Sequence, residues 1–211
     1  MSSFSTPKSI EVDAVECTVV LIGDMSVGKT SIIRQYTERE FIENGNNSTV
    51  DMNVQRREEA EWDPPMIFSI WDTAGQERFN ALPNSTISRA HVILYVYSID
   101  SVESFEKIEK FWMPEVKKAR GNNVITFLIG NKLDLRRENK QSVSDEQAQE
   151  LSKNHGCKDF LQVSAKTNTA IQDIFMAIAN EAQQDPTYFA SSIGTIELNQ
   201  DNDKKSNSCG C

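Results

Sequence analysis

The chain has little positive charge, few cysteines and no long apolar run. Its 22 Lys and Arg residues stand against 31 Asp and Glu residues, which gives a net charge of -9 at pH 7. Because affinity for a nucleic-acid backbone depends on basic surface, this balance argues against nucleic acid as a partner. No stretch approaches the roughly 20 apolar residues of a membrane-spanning helix, and residues 1–14 lack the apolar centre of a signal peptide. We therefore expect synthesis and folding in the cytosol.

Cysteine and histidine are also scarce. The sequence has four cysteines and two histidines. Cys17 falls in a predicted strand and Cys157 near a predicted helix end, which is not the pattern of a disulfide framework. His91 and His155 are far apart in the sequence and form no ligand cluster, so we interpret both as structural. The remaining two cysteines stand at the C-terminal end.

A phosphate-binding motif is present near the N-terminus. Residues 23–30, with the sequence GDMSVGKT, fit G-x-x-x-x-G-K-[ST] and lie between a predicted strand, 17–22, and a predicted helix, 31–39. The two glycines permit backbone angles that turn successive N–H groups toward a polyphosphate. Lys29 can reach the β and γ phosphates, and the Thr30 hydroxyl can bind Mg²⁺. The helix N-terminus adds its own N–H groups to this anion site.

Predicted strands and helices alternate along the chain. Capping-box patterns, Asp100 with Glu103 and Ser144 with Gln147, predict helices over 101–119 and 145–154. The other predicted elements are a last helix over 169–183, a hairpin over 54–61 and 66–71, and buried strands over 92–97, 124–129 and 160–163. This order predicts an α/β fold of the P-loop NTPase type, with a mostly parallel six-stranded sheet, one antiparallel edge strand and helices on both faces.

Composition divides the chain into three parts. Residues 1–14 are polar and rich in serine, which predicts a flexible N-terminal arm. Residues 15–184 contain the predicted strands and helices and are long enough for one domain. Residues 185–211 are rich in Asn, Ser and Asp and predict a flexible tail.

A second motif follows the hairpin, in the sequence DTAGQE of residues 72–77. Asp72, at a strand end, can hold the shell of a Mg²⁺ ion through water. Gly75 has no side chain to obstruct the approach of its N–H group to a γ-phosphate, and Gln76 can orient an attacking water. The alternative interpretation is a glycine-containing turn with an exposed glutamine.

Two further motifs follow later strands and indicate which base is bound. In the segment 131–134, Asn-Lys-Leu-Asp, the carboxylate of Asp134 can accept hydrogen bonds from the N1–H and 2-amino groups of guanine. Adenine has no such pair of donors, so it would leave a polar group unpaired, and an ATPase is disfavoured. The segment 164–166, Ser-Ala-Lys, can offer a backbone N–H to the guanine oxygen and a lysine stem to pack along the base, although by itself this tripeptide is better explained as a loop before a helix.

These motifs, in this order, resemble the small Ras-like GTPases over about residues 15–184. The resemblance implies GTP or GDP and Mg²⁺ as ligands, with Gln76 as the catalytic water-positioning residue. It implies metal contacts through Thr30, Thr49 and, in the outer shell, Asp72. Phe41 would pack edge-on against guanine, with an ordinary apolar contact as its alternative role. The nucleotide contacts implied are Asp24, Met25, Ser26, Val27, Gly28, Lys29, Thr30, Ser31, Phe41, Thr49, Gly75, Asn131, Lys132, Asp134, Ser164, Ala165 and Lys166.

The first switch of this family needs a threonine that contacts the γ-phosphate. Thr49 is our choice, although it implies one inserted residue after the phosphate loop, and Ser48 remains a competitor. Gly45 and the two asparagines after it predict a mobile segment, which suits a loop that GTP orders.

The C-terminus resembles one branch of this family. Cys209-Gly210-Cys211 is similar to the Cys-x-Cys ending of Rab GTPases, in which both cysteines carry geranylgeranyl chains, and residues 71–79 resemble the Rab form of the second switch. Two chains are enough for stable membrane attachment. The alternative is an exposed tail with two free thiols. Because the tail has only Lys204 and Lys205 as basic residues, membrane choice would come from protein partners.

The resemblance implies a monomeric molecular switch that slowly hydrolyses GTP to GDP and phosphate and regulates vesicle-mediated traffic through effectors. Its expected partners are an exchange factor, an activating protein, a dissociation inhibitor and an escort protein with a prenyltransferase. Its expected location is the cytoplasmic face of an endomembrane, in exchange with the cytosol. The alternative is a nucleotide-binding module with negligible hydrolysis, because Met25 could crowd Gln76 or an incoming arginine.

Several positions depart from the Rab pattern. Residues 51–54, Asp-Met-Asn-Val, replace the usual Gly-Val-Asp-Phe, and Thr86-Ile87 replaces the usual Tyr-Tyr of the second switch helix. Pro83 is expected to end or bend that helix early. These differences prevent assignment to a subgroup or to an effector.

Overall fold

The computed structural model describes residues 10–43, 53–73, 84–136, 142–189 and 193–198. A π-helical turn, Ile108–Trp112, joins helix α3, Val102–Lys107, to helix α4, Met113–Arg120. The strands are β1 Ile10–Ile22, β2 Asn53–Glu59, β3 Met66–Asp72, β4 Val92–Ser98, β5 Ile125–Asn131, β6 Asp159–Gln162 and β7 Ile193–Leu198. The helices are α1 Lys29–Glu38, α2 Asn84–Arg89, α3 Val102–Lys107, α4 Met113–Arg120, α5 Asp145–Asn154, α6 Ile171–Gln184 and α7 Pro186–Phe189.

Six of the strands form the predicted sheet, in the order β2-β3-β1-β4-β5-β6. The edge strand β2 runs antiparallel to β3, and the other neighbours in this order are parallel. The predicted fold class is therefore confirmed. Since the carboxyl ends of parallel strands meet at one edge of a sheet, the loops after β1, β3, β5 and β6 lie at the same edge.

The side chains of the central strand, β1, point alternately to the two faces of the sheet and so contribute to an apolar cluster on each face. Cys17, Val19 and Leu21 belong to the apolar cluster that α1 and α6 cover. Val20 and Ile22 belong to the cluster that α2 to α5 cover. Successive side chains of a strand point to opposite faces, so one continuous apolar run supplies both layers.

The ends of the described chain differ from the sequence prediction. β1 begins at Ile10, inside the segment predicted as a flexible arm, and β7 lies inside the segment predicted as a flexible tail. The two strands pair antiparallel, from Ile10 opposite Leu198 to Val15 opposite Ile193. Val15 pairs with Met66 of β3 on its other side. Consequently β7 lies along the edge of β1 that β4 occupies further on.

Two aromatic residues of α7, the helix before β7, attach this part of the chain to the core. Phe189 is buried in the first apolar cluster. The Tyr188 hydroxyl donates a hydrogen bond to the His91 carbonyl oxygen at 2.9 Å. His91 in turn accepts a hydrogen bond from the Thr18 backbone N–H through Nδ1 at 3.0 Å, which agrees with a structural role for this histidine.

Two helix starts test the capping predictions. Ser144 and Gln147 form the predicted capping box, with bonds of 3.0 and 3.2 Å. The predicted box of Asp100 and Glu103 was wrong, because Ser101 is the N-cap and accepts the Ser104 N–H at 3.2 Å. The Asp100 carboxylate instead accepts a hydrogen bond from the Ser98 hydroxyl.

The second switch helix, as far as it is described, begins at Asn84, and Pro83 lies outside the described residues. Thr86 and Ile87 are buried, so neither residue contributes to an exposed surface. Within the described ranges, no helix has both the length and the apolar character needed to cross a bilayer.

Candidate nucleotide-binding site

The loop between β1 and α1 requires glycine at two positions. A Cβ atom on Gly23 would lie 2.0 Å from the Val96 carbonyl oxygen of β4. Gly28 has a φ of 95°, and a Cβ atom there would lie 2.3 Å from Nδ2 of Asn131. Both glycines of the motif thus allow the loop to approach neighbouring strands closely. Ser26, with a φ of 59°, also adopts the left-handed conformation.

The Lys29 side chain reaches back from the start of α1 into this loop. It is buried, and its Nζ atom donates hydrogen bonds to the carbonyl oxygens of Gly23 at 3.0 Å and Asp24 at 2.8 Å. α1 begins at Lys29 without a side-chain cap and without an acidic residue in its first turn. The buried ammonium group of Lys29 and the free N–H groups at the start of α1 therefore lie close together, and this arrangement suits the binding of a phosphate group.

Thr30 and Asp72 provide the oxygen atoms that Mg²⁺ prefers. The Thr30 hydroxyl donates a hydrogen bond to Oδ2 of Asp72 at 2.5 Å, and Asp72 is buried at the end of β3. No group of three or more His, Cys, Asp or Glu residues forms a metal cluster in the described ranges. Mg²⁺ sites commonly combine one or two protein oxygens with substrate phosphates, so this pair fits such an ion.

Asn131, the last residue of β5, connects the phosphate loop to the two predicted base-binding segments. It is buried, and its Nδ2 atom donates a hydrogen bond to the Val27 carbonyl oxygen at 2.8 Å. Its Oδ1 atom accepts a hydrogen bond from the Ala165 backbone N–H at 3.2 Å. One amide side chain thus holds three loops in register at the carboxyl edge of the sheet.

The segments around Asp134 and Ser164 also contact each other directly. The Ser164 hydroxyl donates a hydrogen bond to Oδ1 of the exposed Asp134 at 2.6 Å and accepts one from the Thr167 N–H at 3.1 Å. Lys132 has a φ of 65°, which turns the chain into the short 3₁₀ helix Leu133–Leu135. These contacts orient the Asp134 carboxylate at the outer edge of the loop.

An ion pair that the sequence analysis missed crosses the same region. Nζ of Lys166 lies 2.7 Å from Oε1 of Glu43, two residues after the half-buried Phe41. The hydrogen bond with Lys166 lowers the pKa of Glu43, and the same bond raises the pKa of Lys166. The pair brings the Phe41 segment next to the 164–166 segment. No sequence motif indicated Glu43.

The described part of the chain gathers most of the predicted site. Thr49 and its competitor Ser48, Gly75 and Gln76 of the second motif, and the terminal Cys209 and Cys211 lie outside the described residues. The predicted residues that the structure brings to one edge of the sheet are Asp24, Met25, Ser26, Val27, Gly28, Lys29, Thr30, Ser31, Phe41, Asp72, Asn131, Lys132, Asp134, Ser164, Ala165 and Lys166.

A P-loop fold with these loops at the carboxyl edge of its sheet defines a class, the P-loop nucleotide-binding proteins. The sequence profile of the Ras family matches residues 18–184. The chain belongs to the Ras family, and the three relatives compared below carry Rab names. The alternative of a binding module with negligible hydrolysis is not favoured, since members of this family are GTPases. The chain is thus a Rab-like small GTPase, and GTP and GDP are its nucleotides.

Three relatives show the extent of the similarity. The chain is 33% identical over 166 residues to Ras-related protein Rab-26 of Bos taurus. The aligned residues cover 79% of this chain and 63% of that protein. It is 32% identical over 193 residues to Ras-related protein Rab-5A of Dictyostelium discoideum, and the aligned residues cover 90% of this chain and 94% of that protein. It is 36% identical over 163 residues to Ras-related protein Rab-13 of Canis lupus familiaris, and the aligned residues cover 77% of this chain and 78% of that protein. The chain therefore spans less than two thirds of the first relative and most of the other two.

Proposed function

We propose that this Rab-like GTPase binds one guanine nucleotide across the phosphate loop and the two base-binding segments, and acts as a GTP/GDP switch in vesicle-mediated membrane traffic. The observation that carries the proposal is the pair of hydrogen bonds made by Asn131, to Val27 of the phosphate loop and to Ala165. A side chain that holds these loops in register supports a single ligand with phosphates at one end and guanine at the other.

At the phosphate end, Lys29 and the N–H groups of residues 24–31 bind the phosphates. Thr30 would hold Mg²⁺ directly and Asp72 through water, with Thr49 as the expected further contact and Ser48 as its competitor. When bound, the ion would neutralise negative charge on the phosphates.

At the base end, the Asp134 carboxylate accepts hydrogen bonds from guanine N1–H and the 2-amino group. The segment 164–166 offers a backbone N–H to the guanine oxygen, while Lys132, Lys166 and Phe41 pack around the base. The hydrogen bond from Ser164 to Asp134 supports this arrangement, because it orients the carboxylate.

For hydrolysis, Gln76 orients a water molecule in line with the γ-phosphate, and the Gly75 N–H contacts a γ-phosphate oxygen. The water oxygen bonds to the γ phosphorus while the bond between that phosphorus and the β–γ bridging oxygen breaks, one water proton stays on the phosphate and the other passes to solvent, and GDP and phosphate leave. Met25 is 48% exposed in the phosphate loop, and crowding of Gln76 or of an incoming arginine by its side chain would make hydrolysis slow.

At the membrane, geranylgeranyl chains on Cys209 and Cys211 anchor the chain to the cytoplasmic face of an endomembrane. An escort protein with its prenyltransferase would attach them, a dissociation inhibitor would extract the monomer, and an exchange factor and an activating protein would set its nucleotide state. We also propose residues 15–184 as the GTPase domain, with 1–14 and 185–211 as its N-terminal and C-terminal extensions.

Single-turnover hydrolysis of preloaded GTP with Mg²⁺ tests this function. We expect slow turnover in the wild type, strong slowing in Gln76→Leu with nucleotide binding intact, and faster turnover in Met25→Gly. Lys29→Ala should abolish nucleotide binding. A Gln76→Leu variant that turns over GTP at the wild-type rate would remove Gln76 from its assigned role.

A further inference from the structure

A lysine outside all the motifs contacts the phosphate loop. Lys107, the last residue of α3, places Nζ 2.9 Å from Oδ1 of Asp24, a residue 83 positions away in the sequence. The two side chains are 29% and 22% exposed. The neighbouring pair of Lys110 and Glu106 is different, because its side chains are 67% and 52% exposed and its two residues are only four positions apart.

Asp24 is held at both its side chain and its main chain. The oxygen that contacts Lys107 also accepts the Met25 backbone N–H at 2.8 Å. The Asp24 carbonyl oxygen accepts a hydrogen bond from Nζ of Lys29 at 2.8 Å. A carboxylate is therefore built into the loop that receives the phosphates, and Lys107 is a cation at hydrogen-bond distance from it.

The charges of Lys107 and Asp24 determine how this pair would affect the binding of a polyphosphate. A carboxylate beside a polyphosphate repels it, and partial burial strengthens the repulsion because water screens the charges less. Lys107 offsets that repulsion. GTP carries more negative charge than GDP, so loss of Lys107 would penalise GTP more than GDP.

The helix that carries Lys107 is fixed in place by its neighbours. Phe105 and Ile108, on either side of Lys107, are buried in the second apolar cluster, and Ser101 caps the helix start. The ammonium group therefore stands at a position that the fold determines rather than on a mobile surface segment.

We propose that Lys107 is a positioning residue that sets the ratio of GTP affinity to GDP affinity at the site, by pairing with Asp24 in the phosphate loop. It contacts no reacting atom. The proposal rests on the nucleotide site proposed above.

The test compares dissociation constants for fluorescent GDP and a fluorescent non-hydrolysable GTP analogue, each with Mg²⁺. In Lys107→Met, which keeps the length of the side chain without its charge, the GTP-to-GDP affinity ratio should fall about three- to tenfold. Lys110→Met is the matched control and should leave the ratio unchanged. Lys107→Arg should keep it near the wild-type value.

A second comparison separates charge pairing from a merely structural role. Asp24→Asn in the Lys107→Met background removes the uncompensated carboxylate and should restore the ratio toward the wild-type value. Lys107→Gln provides another neutral variant if Lys107→Met does not fold. Equal weakening of both nucleotides, or no recovery in the double variant, would overturn the role of Lys107. Failure of the wild type to bind either nucleotide would overturn the proposed function as well.

Discussion

Single residues at the carboxyl edge of the sheet do two tasks at once. Asn131 belongs to a base-recognition motif, yet its hydrogen bonds run to Val27 and Ala165 of other loops. Gly23 belongs to a phosphate motif, yet close approach to Val96 requires it. Their motifs identify these residues in the sequence. The partners are not predictable from the sequence, because they depend on which loops the sheet order places side by side.

The buried amide of Asn131 should matter for folding as well as for binding. Asn131→Ala leaves the Ala165 N–H and the Val27 carbonyl oxygen without their partner, which costs about 1–3 kcal/mol for an unsatisfied buried group. We expect this loss in urea unfolding of the nucleotide-free protein, together with weaker GDP binding. Asn154→Ala, at an exposed position at the end of α5, serves as the control, and equal stability of the two variants would contradict the assignment.

Gly23 should tolerate no side chain. Gly23→Ala would place a Cβ atom against backbone of β4, which cannot move as a side-chain tip can, so we expect a loss of about 2–4 kcal/mol. Gly156→Ala is the matched comparison, because its added Cβ meets nothing within 4 Å and its φ of 69° costs about 1 kcal/mol. Thermal unfolding measures both. A similar melting temperature for the two variants would contradict the close approach.

At the scale of elements, long apolar runs and one capping box were predictable, and the chain ends were not. β4 is buried along its whole length, as its continuous apolar sequence predicts. β7 was missed because the tail is polar in overall composition, while its strand depends on pairing with residues 10–15 of β1. A strand whose partner lies at the other end of the sequence leaves little local signal.

Removal of β7 should affect stability and not nucleotide binding. β7 pairs with the beginning of β1, whereas the phosphate loop follows the end of β1. We expect a chain that ends at residue 192 to lose about 1–3 kcal/mol of stability relative to one that ends at residue 198. GDP affinity should stay the same in both. Hydrogen exchange of the residue 10–15 amides should speed up in the shorter chain, and unchanged exchange would contradict the pairing.

His91, just before β4, should make stability depend on pH. Burial, and then the charge of Arg120, lower the pKa of His91 from its ordinary value of 6.5. The unfolded chain therefore takes up a proton at a higher pH than the folded chain, so stability is complete above about pH 6.5 and falls as the pH drops toward the folded pKa. Urea unfolding at several pH values measures this. His91→Asn, which offers an acceptor without titrating there, should flatten the profile between about pH 7.5 and 5.5, and an unflattened profile would assign the dependence to other groups.

The whole molecule carries a net charge of -9, and its last residues have few basic side chains. Electrostatic attraction to anionic lipid should therefore contribute little to the proposed lipid anchoring. We expect the prenylated protein to bind neutral vesicles at least as well as vesicles rich in phosphatidylserine. Lys204→Ala with Lys205→Ala should change neither value, and tighter binding to the anionic vesicles would point to a basic surface elsewhere.

The pairing of β7 with β1 also limits the length of chain between the folded domain and the proposed lipid groups. Thirteen residues follow Leu198, and fully extended they reach about 45 Å. A chain free from residue 185 onward would have about twice as many residues, so the strand shortens the tether between the domain and the proposed lipid groups by about half. A short tether attached at the end of the sheet remote from the phosphate loop would keep the nucleotide edge pointing away from the bilayer, toward its partners.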